Sequence, residues 1–319
     1  MFKLMQFFVK ETLVSFYQEH EVYKVQKRIV KNNKTLSEEY FEFSEEEFLS
    51  FIKSCFIENT QTYISTIIDT FNQGCVDSCT HSKYKELGIN LDNIKILCLK
   101  DYSIFIGLYE LNNFQKKLNK FKIDFVFSPY LLIDLNKKKT PNSLYVLYSN
   151  SFVILLIYED GIKPKYSNIY QFKLEETNDI IQNEDEEDIE DIEDIDDLVE
   201  DIEEIDDIEN LEDTLDDSID ETLAEDDGDN IDLEHTNIQD DITSVKNEIE
   251  AIEFIKNSIK DYYESYSDNF LENGYLLYND DISNKFVESI QNEILLDISK
   301  EKVDILSIIN DLALKEIDV

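Results

Sequence analysis

Glycine is scarce in this chain, with six residues among 319. Phosphate-binding loops use several glycines so that backbone N–H groups can approach the phosphate closely, and six scattered glycines form no such loop. Between Lys173 and Lys246 there is no lysine or arginine. Nucleic-acid binding needs clustered basic side chains to neutralise phosphates, so the composition disfavours that class of function.

Cysteine and long apolar runs are also limited. The four cysteines, together with the lack of a basic leader and a small-residue cleavage site at the start, predict a reducing cytoplasmic compartment. The longest apolar run, residues 143–158, is interrupted by Ser149-Asn150-Ser151 and is too short to span a bilayer. We therefore expect no direct membrane insertion, so that any location at a membrane would come through a partner.

Acidic residues are concentrated in one segment. Residues 184–227 hold more than half of the net charge of −43. Apolar residues recur there every three or four positions, as on one face of a helix, but the neighbouring carboxylates repel each other without a basic residue to offset them. We predict a disordered acidic insert over residues 176–243, between a first block at 1–175 and a second block at 244–319 that complete one body. Two roles for the insert stay open: a solubilising tether or a docking strip for a basic partner.

The first block is predicted to be rich in strands. Ser44 followed by Glu47 forms a capping box that starts a helix over residues 45–58, and residues 113–120 predict a second helix. Residues 72–74 predict a turn. Strands are predicted over residues 12–17, 21–30, 40–43, 62–68, 94–99, 103–108, 124–127, 144–148 and 152–158.

The second block is predicted to be mainly helical. Helices are predicted over residues 245–263, 284–294 with Ser283 as the cap, and 305–316. Short strands are predicted at 275–278 and 295–298. The order of elements in the two blocks indicates a mixed α/β protein with two lobes.

The second block resembles the last subdomain of the PilM family, the actin-like proteins of type IV pilus and competence machines. The resemblance lies in the layout of three segments, residues 255–264, 273–283 and 309–316. The three strands and helix of the first block, and the hairpin at 144–158, also fit a duplicated actin-like core. The resemblance implies a two-lobed actin-like fold of the duplicated ribonuclease H-like type.

The nucleotide-binding motifs of actin-like ATPases are missing at the corresponding positions. Those enzymes carry Asp-x-Gly at each hairpin, where the carboxylate holds a hydrated metal and the glycine admits phosphate. This chain has Gln18-Glu19-His20-Glu21 at the first hairpin and Tyr148-Ser149-Asn150-Ser151 at the second. The family's Gly-Gly adenosine loop is replaced by Leu277-Tyr278-Asn279-Asp280-Asp281, which holds two carboxylates. We predict a pseudo-ATPase, comparable to the cytoplasmic part of GspL proteins.

Other catalytic or metal chemistry has weak support. Cys75, Cys79 and His81, with Cys98, contain zinc-ligating residue types, but Cys-x3-Cys-x-His is not a common zinc spacing. A Cys–His nucleophile pair is disfavoured because a catalytic base normally comes from elsewhere in a fold. We therefore assign no catalytic, cofactor-binding or metal-binding residue.

The resemblance implies a non-catalytic scaffold at the inner face of a bacterial membrane. Such a scaffold would link a PilN- or GspL-like inner-membrane protein of a pilus, secretion or DNA-uptake machine to its assembly ATPase. The alternative is a polyanionic interaction protein, a chaperone or mimic, that binds basic partners through residues 184–227.

Overall fold

The computed structural model describes residues 10–19, 21–57, 61–118, 122–172, 234–266 and 269–317. The strands in these ranges are β1 (Glu11–Glu19), β2 (Val22–Lys31), β3 (Lys34–Phe43), β4 (Gln61–Ile67), β5 (Gln73–Val76), β6 (Ile94–Cys98), β7 (Ser103–Gly107), β8 (Phe125–Phe127), β9 (Ser143–Tyr148), β10 (Phe152–Tyr158), β11 (Pro164–Gln171), β12 (Asn273–Tyr278) and β13 (Ile298–Lys302). The α-helices are α1 (Glu45–Ile57), α2 (His81–Glu86), α3 (Leu108–Lys117), α4 (Tyr130–Asn136), α5 (Glu234–Ser265), α6 (Asn284–Ile294) and α7 (Ile305–Ile317).

Two five-stranded sheets share one topology. Their orders are β3-β2-β1-β4-β8 and β11-β10-β9-β12-β13. In each sheet the first three strands form an antiparallel meander. The fourth strand pairs in parallel with the first, β4 with β1 and β12 with β9, and the fifth pairs in parallel with the fourth, β8 with β4 and β13 with β12. The same strand order therefore occurs twice. This confirms the predicted two-lobed, duplicated actin-like fold.

The sequence explains which strands lie at the centre of the second sheet. Strands β9 and β10 read Ser-Leu-Tyr-Val-Leu-Tyr and Phe-Val-Ile-Leu-Leu-Ile-Tyr, and every residue in both is buried. A continuous apolar run is typical of a strand that is covered on both faces. One face packs against α5 and α6, while the other shares an apolar cluster with α4 and α7. The outer face of the first sheet packs against α1.

Helix α7 lies against the first sheet through a polar surface. Ser15 Oγ donates a hydrogen bond to Leu306 O at 2.8 Å, and Asn310 Nδ2 donates to Gln26 Oε1 at 2.6 Å, with both bonds buried. The guanidinium of Arg28 contacts the same helix. The opposite side of α7 carries apolar residues that pack in the cluster beneath the second sheet. Helix α7 therefore joins the two lobes, with a polar face on the first sheet and an apolar face in the cluster beneath the second sheet.

A third sheet, β5-β7-β6, branches from the first half of the chain. Strand β5 packs beside β11 of the second sheet, where Cys75 N donates to Ser167 Oγ at 2.8 Å. Gly74 makes this approach possible, since an added Cβ would lie about 3 Å from the Phe105 ring and from Ser167 Oγ.

Several predicted elements are confirmed with shifted ends. The hairpin of β1 and β2, helix α1, the hairpins of β6–β7 and β9–β10, and helices α6 and α7 all form where the sequence predicts them. Strand β3 begins at Lys34 rather than residue 40, and α3 begins at Leu108 rather than 113. The short elements α2, α4 and β11 were not predicted.

Three predictions are wrong. The strand predicted at 295–298 is misplaced, because Leu295 ends α6 in the left-handed conformation and the strand β13 runs from Ile298 to Lys302. The predicted turn at 72–74 instead leads into β5 at Gln73. Helix α5 begins at Glu234 rather than at residue 245, so the helix extends back over the last ten residues of the predicted insert. No proline or glycine lies between Glu234 and Val245 to stop the helix. The rest of the predicted insert, including residues 184–227, lies outside the described residues.

Candidate functional site

The three segments in which the sequence departs from the ATPase pattern meet in space. Asn150 Nδ2 in the β9–β10 turn donates to Glu19 Oε1 at the end of β1, at 3.1 Å. The backbone N–H of Asn150 donates to Asp280 Oδ2, after β12, at 2.9 Å. The tips of the two hairpins are therefore joined directly to each other and to the segment after β12. We call Glu19, Lys24, Asn150 and Asp280 the cleft cluster.

Lys24 is the cation of the cleft cluster. Its Nζ lies 2.6 Å from Glu19 Oε2 and 3.7 Å from Asp280 Oδ1. Burial acts to lower the pKa of Lys24, but the hydrogen bond and charge of Glu19 and the charge of Asp280 outweigh it, so the pKa is raised. Glu19 is 7 % exposed. The cluster is thus a partly buried group of two carboxylates around one ammonium.

The backbone amides of the β9–β10 turn are all engaged within the protein. Ser149 N donates to Phe152 O at 3.0 Å, Asn150 N to Asp280, and Ser151 N to Ser149 Oγ at 3.5 Å. A phosphate-binding turn needs such amides free to point at the anion. Here a phosphate would have to displace a carboxylate that already accepts one of them.

The N-terminus of helix α7 is also capped from inside the protein. Asn279 Oδ1 accepts a hydrogen bond from Ile305 N at 3.0 Å, while Asn279 Nδ2 donates to Tyr17 OH at 3.1 Å. Burial, reinforced by the charge of Asp280, raises the pKa of Tyr17. Tyr17 therefore stays a neutral phenol beside the cleft cluster.

Helix α5 closes the cleft from the side of the second lobe. Glu248 accepts hydrogen bonds from Ser283 N and Ser283 Oγ, both at 2.6 Å, at the N-terminus of α6. Its neighbour Asn247 donates through Nδ2 to Asn150 O at 3.2 Å. Both are buried, and Glu248 lies three residues before Ala251 and seven before Ile255 on the packed face. Neither Asn247 nor Glu248 was predicted from the sequence, although a carboxylate within the apolar stripe of a helix is a signal for a buried, hydrogen-bonded group.

The candidate zinc ligands do not assemble into a site. Cys75 lies within β5, whereas Cys79 and Cys98 are exposed and His81 begins α2. Across the part of the chain that the structure describes, no group of three or more His, Cys, Asp or Glu residues is placed to hold a metal ion.

A groove of about 480 Å³ lies between β11 and α5, and we call it the β11–α5 groove. Its lining combines aromatic rings with three carboxylates, from Tyr166, Tyr170, Glu250, Glu253, Phe254 and Asp261. Tyr170 OH donates to Glu250 Oε2 at 3.0 Å, and the rings of Tyr170 and Phe254 lie 5.7 Å apart. Burial and a hydrogen bond with Asp261 raise the pKa of Tyr166. Aromatic faces beside carboxylates suit a lysine or arginine side chain.

None of the helices in the described ranges is both long enough and apolar enough to cross a membrane.

Comparisons with known proteins give family matches and distant structural neighbours. The family model described as Domain of unknown function (DUF8341) matches residues 144–318, which is more than half of the chain. Residues 8–134 match the model described as Domain of unknown function (DUF8569). No curated protein matches the chain.

Three structural neighbours span nearly the whole chain at very low identity. A Bacteroides thetaiotaomicron protein of unknown function with an actin-like ATPase fold is 10 % identical, with 96 % of this chain and 95 % of that chain covered and a TM-score of 0.42. The PilM–PilN type IV pilus biogenesis complex is 9 % identical over 91 % and 88 %, with a TM-score of 0.46. Ethanolamine utilization protein EutJ from Carboxydothermus hydrogenoformans is 7 % identical over 94 % and 87 %, with a TM-score of 0.40.

Proposed function

Because the chain belongs to the family described as Domain of unknown function (DUF8341), we propose its function from its own residues: a non-catalytic scaffold that uses an actin-like body to bind protein partners. In this proposal the residues of the cleft between the lobes hold the two lobes together through hydrogen bonds and ion pairs. The protein then functions by binding partners through its surface rather than by binding a nucleotide.

The cleft cluster is the observation that carries the proposal. Glu19 and Asp280 approach the position between the hairpin tips, and Asn150 N already donates to Asp280. A nucleotide phosphate placed there would meet two carboxylates and one ammonium, and it would need the amides that the turn uses itself. Loss of those contacts without replacement costs free energy, so the arrangement favours a pseudo-ATPase.

The type of partner follows from the layout resemblance to the PilM family. We propose a PilN- or GspL-like inner-membrane protein as the anchor and an assembly ATPase as the second partner. The scaffold would then lie in the cytoplasm at the inner membrane, held there through the anchor protein. The β11–α5 groove is the surface that we assign to a basic segment of a partner, because its carboxylates and rings are complementary to lysine and arginine.

A nucleotide titration tests the pseudo-ATPase part of the proposal. A ligand bound at a concentration 100 times its Kd would stabilise the folded chain by about 2.7 kcal/mol, which raises Tm by several degrees. We expect millimolar ATP with Mg²⁺ to leave the Tm unchanged. A rise in Tm that is abolished by Asn150→Ala would show an active nucleotide site and contradict the proposal.

A binding assay tests the scaffold part and separates it from the alternative. The full chain is co-expressed with the inner-membrane proteins encoded by neighbouring genes, and the retained proteins are compared among variants. Glu253→Lys in the groove should reduce retention, whereas Glu264→Lys, the same charge reversal on α5 outside the groove, should not. Deletion of residues 184–227 should leave retention in place. Loss of all binding on that deletion would instead support the polyanionic interaction protein.

A further inference from the structure

Two exposed thiols lie together at one end of the third sheet. Cys98 ends β6 and pairs in register with Ser103 of β7, which in turn pairs with Val76 at the end of β5. Cys79 follows three residues after Val76. Both cysteines are exposed, whereas Cys55 is buried in the core of the first lobe.

Hydrogen bonds fix Cys79 next to the β6–β7 turn. Ser103 Oγ donates to Ser78 O at 2.5 Å, which holds the backbone before Cys79 against β7. The Cys79 thiol then lies 3.7 Å from Tyr102 O and 3.9 Å from Leu99 O, the carbonyl that directly follows Cys98. Leu99 N donates to Tyr102 O at 2.8 Å and closes this turn tightly. Cys79 is therefore held beside Cys98 from two directions.

The two sulfur atoms interact with each other. A hydrogen bond with Cys98, followed by burial, raises the pKa of Cys79. A thiol with a raised pKa holds less of the thiolate that attacks a disulfide, so the first attack falls to Cys98, the other exposed thiol of the pair. In this pair Cys98 is the nucleophile and Cys79 is the thiol that resolves the intermediate.

We propose that Cys79 and Cys98 form a reversible disulfide by exchange with a small-molecule disulfide such as oxidised glutathione. The Cys98 thiolate attacks one glutathione sulfur, so that the S–S bond of the oxidant breaks and one glutathione thiolate leaves. Cys79, after losing its proton to solvent, attacks the Cys98 sulfur and releases the second glutathione. Two protein thiols are oxidised, one glutathione disulfide is reduced to two thiols, and the bond clips the β5–α2 loop to the β6–β7 turn.

Cys75 is not part of this reaction. It lies in the interior of β5, its backbone N–H is hydrogen-bonded to Ser167, and burial raises its pKa well above the usual value. A half-buried thiol whose pKa is raised reacts slowly with disulfides. The proposed site is therefore selective for two of the four cysteines.

Mass spectrometry of the full folded chain tests the proposal. After incubation with oxidised glutathione and alkylation of the remaining thiols, the wild type should lose two hydrogen atoms, keep two alkylatable cysteines and yield a peptide pair joined through Cys79 and Cys98. Cys79→Ser should instead accumulate one glutathionyl group on Cys98, because the resolving thiol is missing. Cys98→Ser should react more slowly, and Cys75→Ser should behave as the wild type.

Two results would overturn the proposal. One is a wild-type chain that carries stable glutathionyl groups on both Cys79 and Cys98 without an internal bond. The other is a disulfide between chains, visible as a dimer on a non-reducing gel. Both serine variants replace exposed residues, and a circular dichroism spectrum that matches the wild type shows that they fold.

Discussion

The polar contact between α7 and the first sheet makes a sharp prediction for Arg28→Met. The Arg28 side chain is 5 % exposed, and its guanidinium lies 2.5 Å from Asp311 Oδ1, 2.5 Å from Ser307 Oγ and 2.7 Å from Glu38 Oε1. Methionine retains much of the apolar stem but removes all three polar contacts. The substitution therefore tests whether these contacts hold α7 in place.

The expected loss follows from the exposure of the three partners. A hydrogen bond to a charged group contributes about 1.5–3 kcal/mol. The side chains of Asp311 and Glu38 are 55 % and 37 % exposed, so they regain water when the guanidinium is removed. Removal of a desolvated charge also offsets part of the loss. We expect a net destabilisation of about 2 kcal/mol, or a drop in Tm of about 4–8 °C for a body of this size.

Urea unfolding followed by far-ultraviolet circular dichroism measures the effect on the full chain. Lys53→Met, which removes an exposed cation from α1, is the matched control and should leave the midpoint unchanged. Asp311→Asn should cost less than half as much as Arg28→Met, because Asp311 is largely in water. Equal midpoints for Arg28→Met and the control would refute the reasoning.

Three further predictions concern the cleft, helix α6 and the division of the chain. The pKa of Lys24 is raised on folding, so its contribution to stability is fully present below its ordinary pKa of 10.5 and is lost as pH rises through the raised value. Lys24→Met should therefore flatten the dependence of the unfolding free energy on pH above 10.5. An unchanged slope in the variant would contradict the prediction. Leu295 is 90 % exposed with φ of 53°, so Leu295→Gly should stabilise the chain by roughly 1 kcal/mol, and a lower urea midpoint would show a packing role instead. A fragment of residues 1–175 lacks β12, β13 and α7, so it should give no cooperative thermal transition, and a sharp melt would show that the first block folds alone.

Local sequence signals predicted local structure well. Helix α6 begins and ends as predicted because Ser283 caps it, with Phe286 N donating to Ser283 Oγ at 3.0 Å. The strand predicted directly after α6 was nevertheless wrong, because Leu295 adopts a left-handed conformation that is usual for glycine or asparagine rather than leucine. Strand β11 was missed because it begins at Pro164 and alternates buried and half-buried positions at a sheet edge.

The candidate site was only partly predictable. The resemblance to actin-like ATPases predicts that Glu19, Asn150 and Asp280 lie where those enzymes carry nucleotide-binding residues, because each lies at a recognisable hairpin or strand end. It does not show that they bond to each other, since Asn150 lies 131 residues from Glu19 and 130 from Asp280. Such pairing depends on how the two lobes pack. The adjacency of Cys79 and Cys98 was missed for the same reason, because it depends on the register of β6, β7 and β5.

The pairing of β12 with β9 has a consequence for synthesis of the chain. Strands β9, β10 and β11 are made first, but the parallel neighbour of β9 begins only at Asn273, after the acidic stretch has been translated. At roughly 5–20 residues per second, the ribosome leaves the face of β9 and β10 that α5 and α6 cover, and the edge of β9 that pairs with β12, exposed for several seconds. Exposed strands of this kind associate with neighbouring nascent chains. The segment that leaves the ribosome during this interval is the polyanion of residues 184–227. Its negative charge repels other copies of the chain until β12 has been synthesised and can pair with β9.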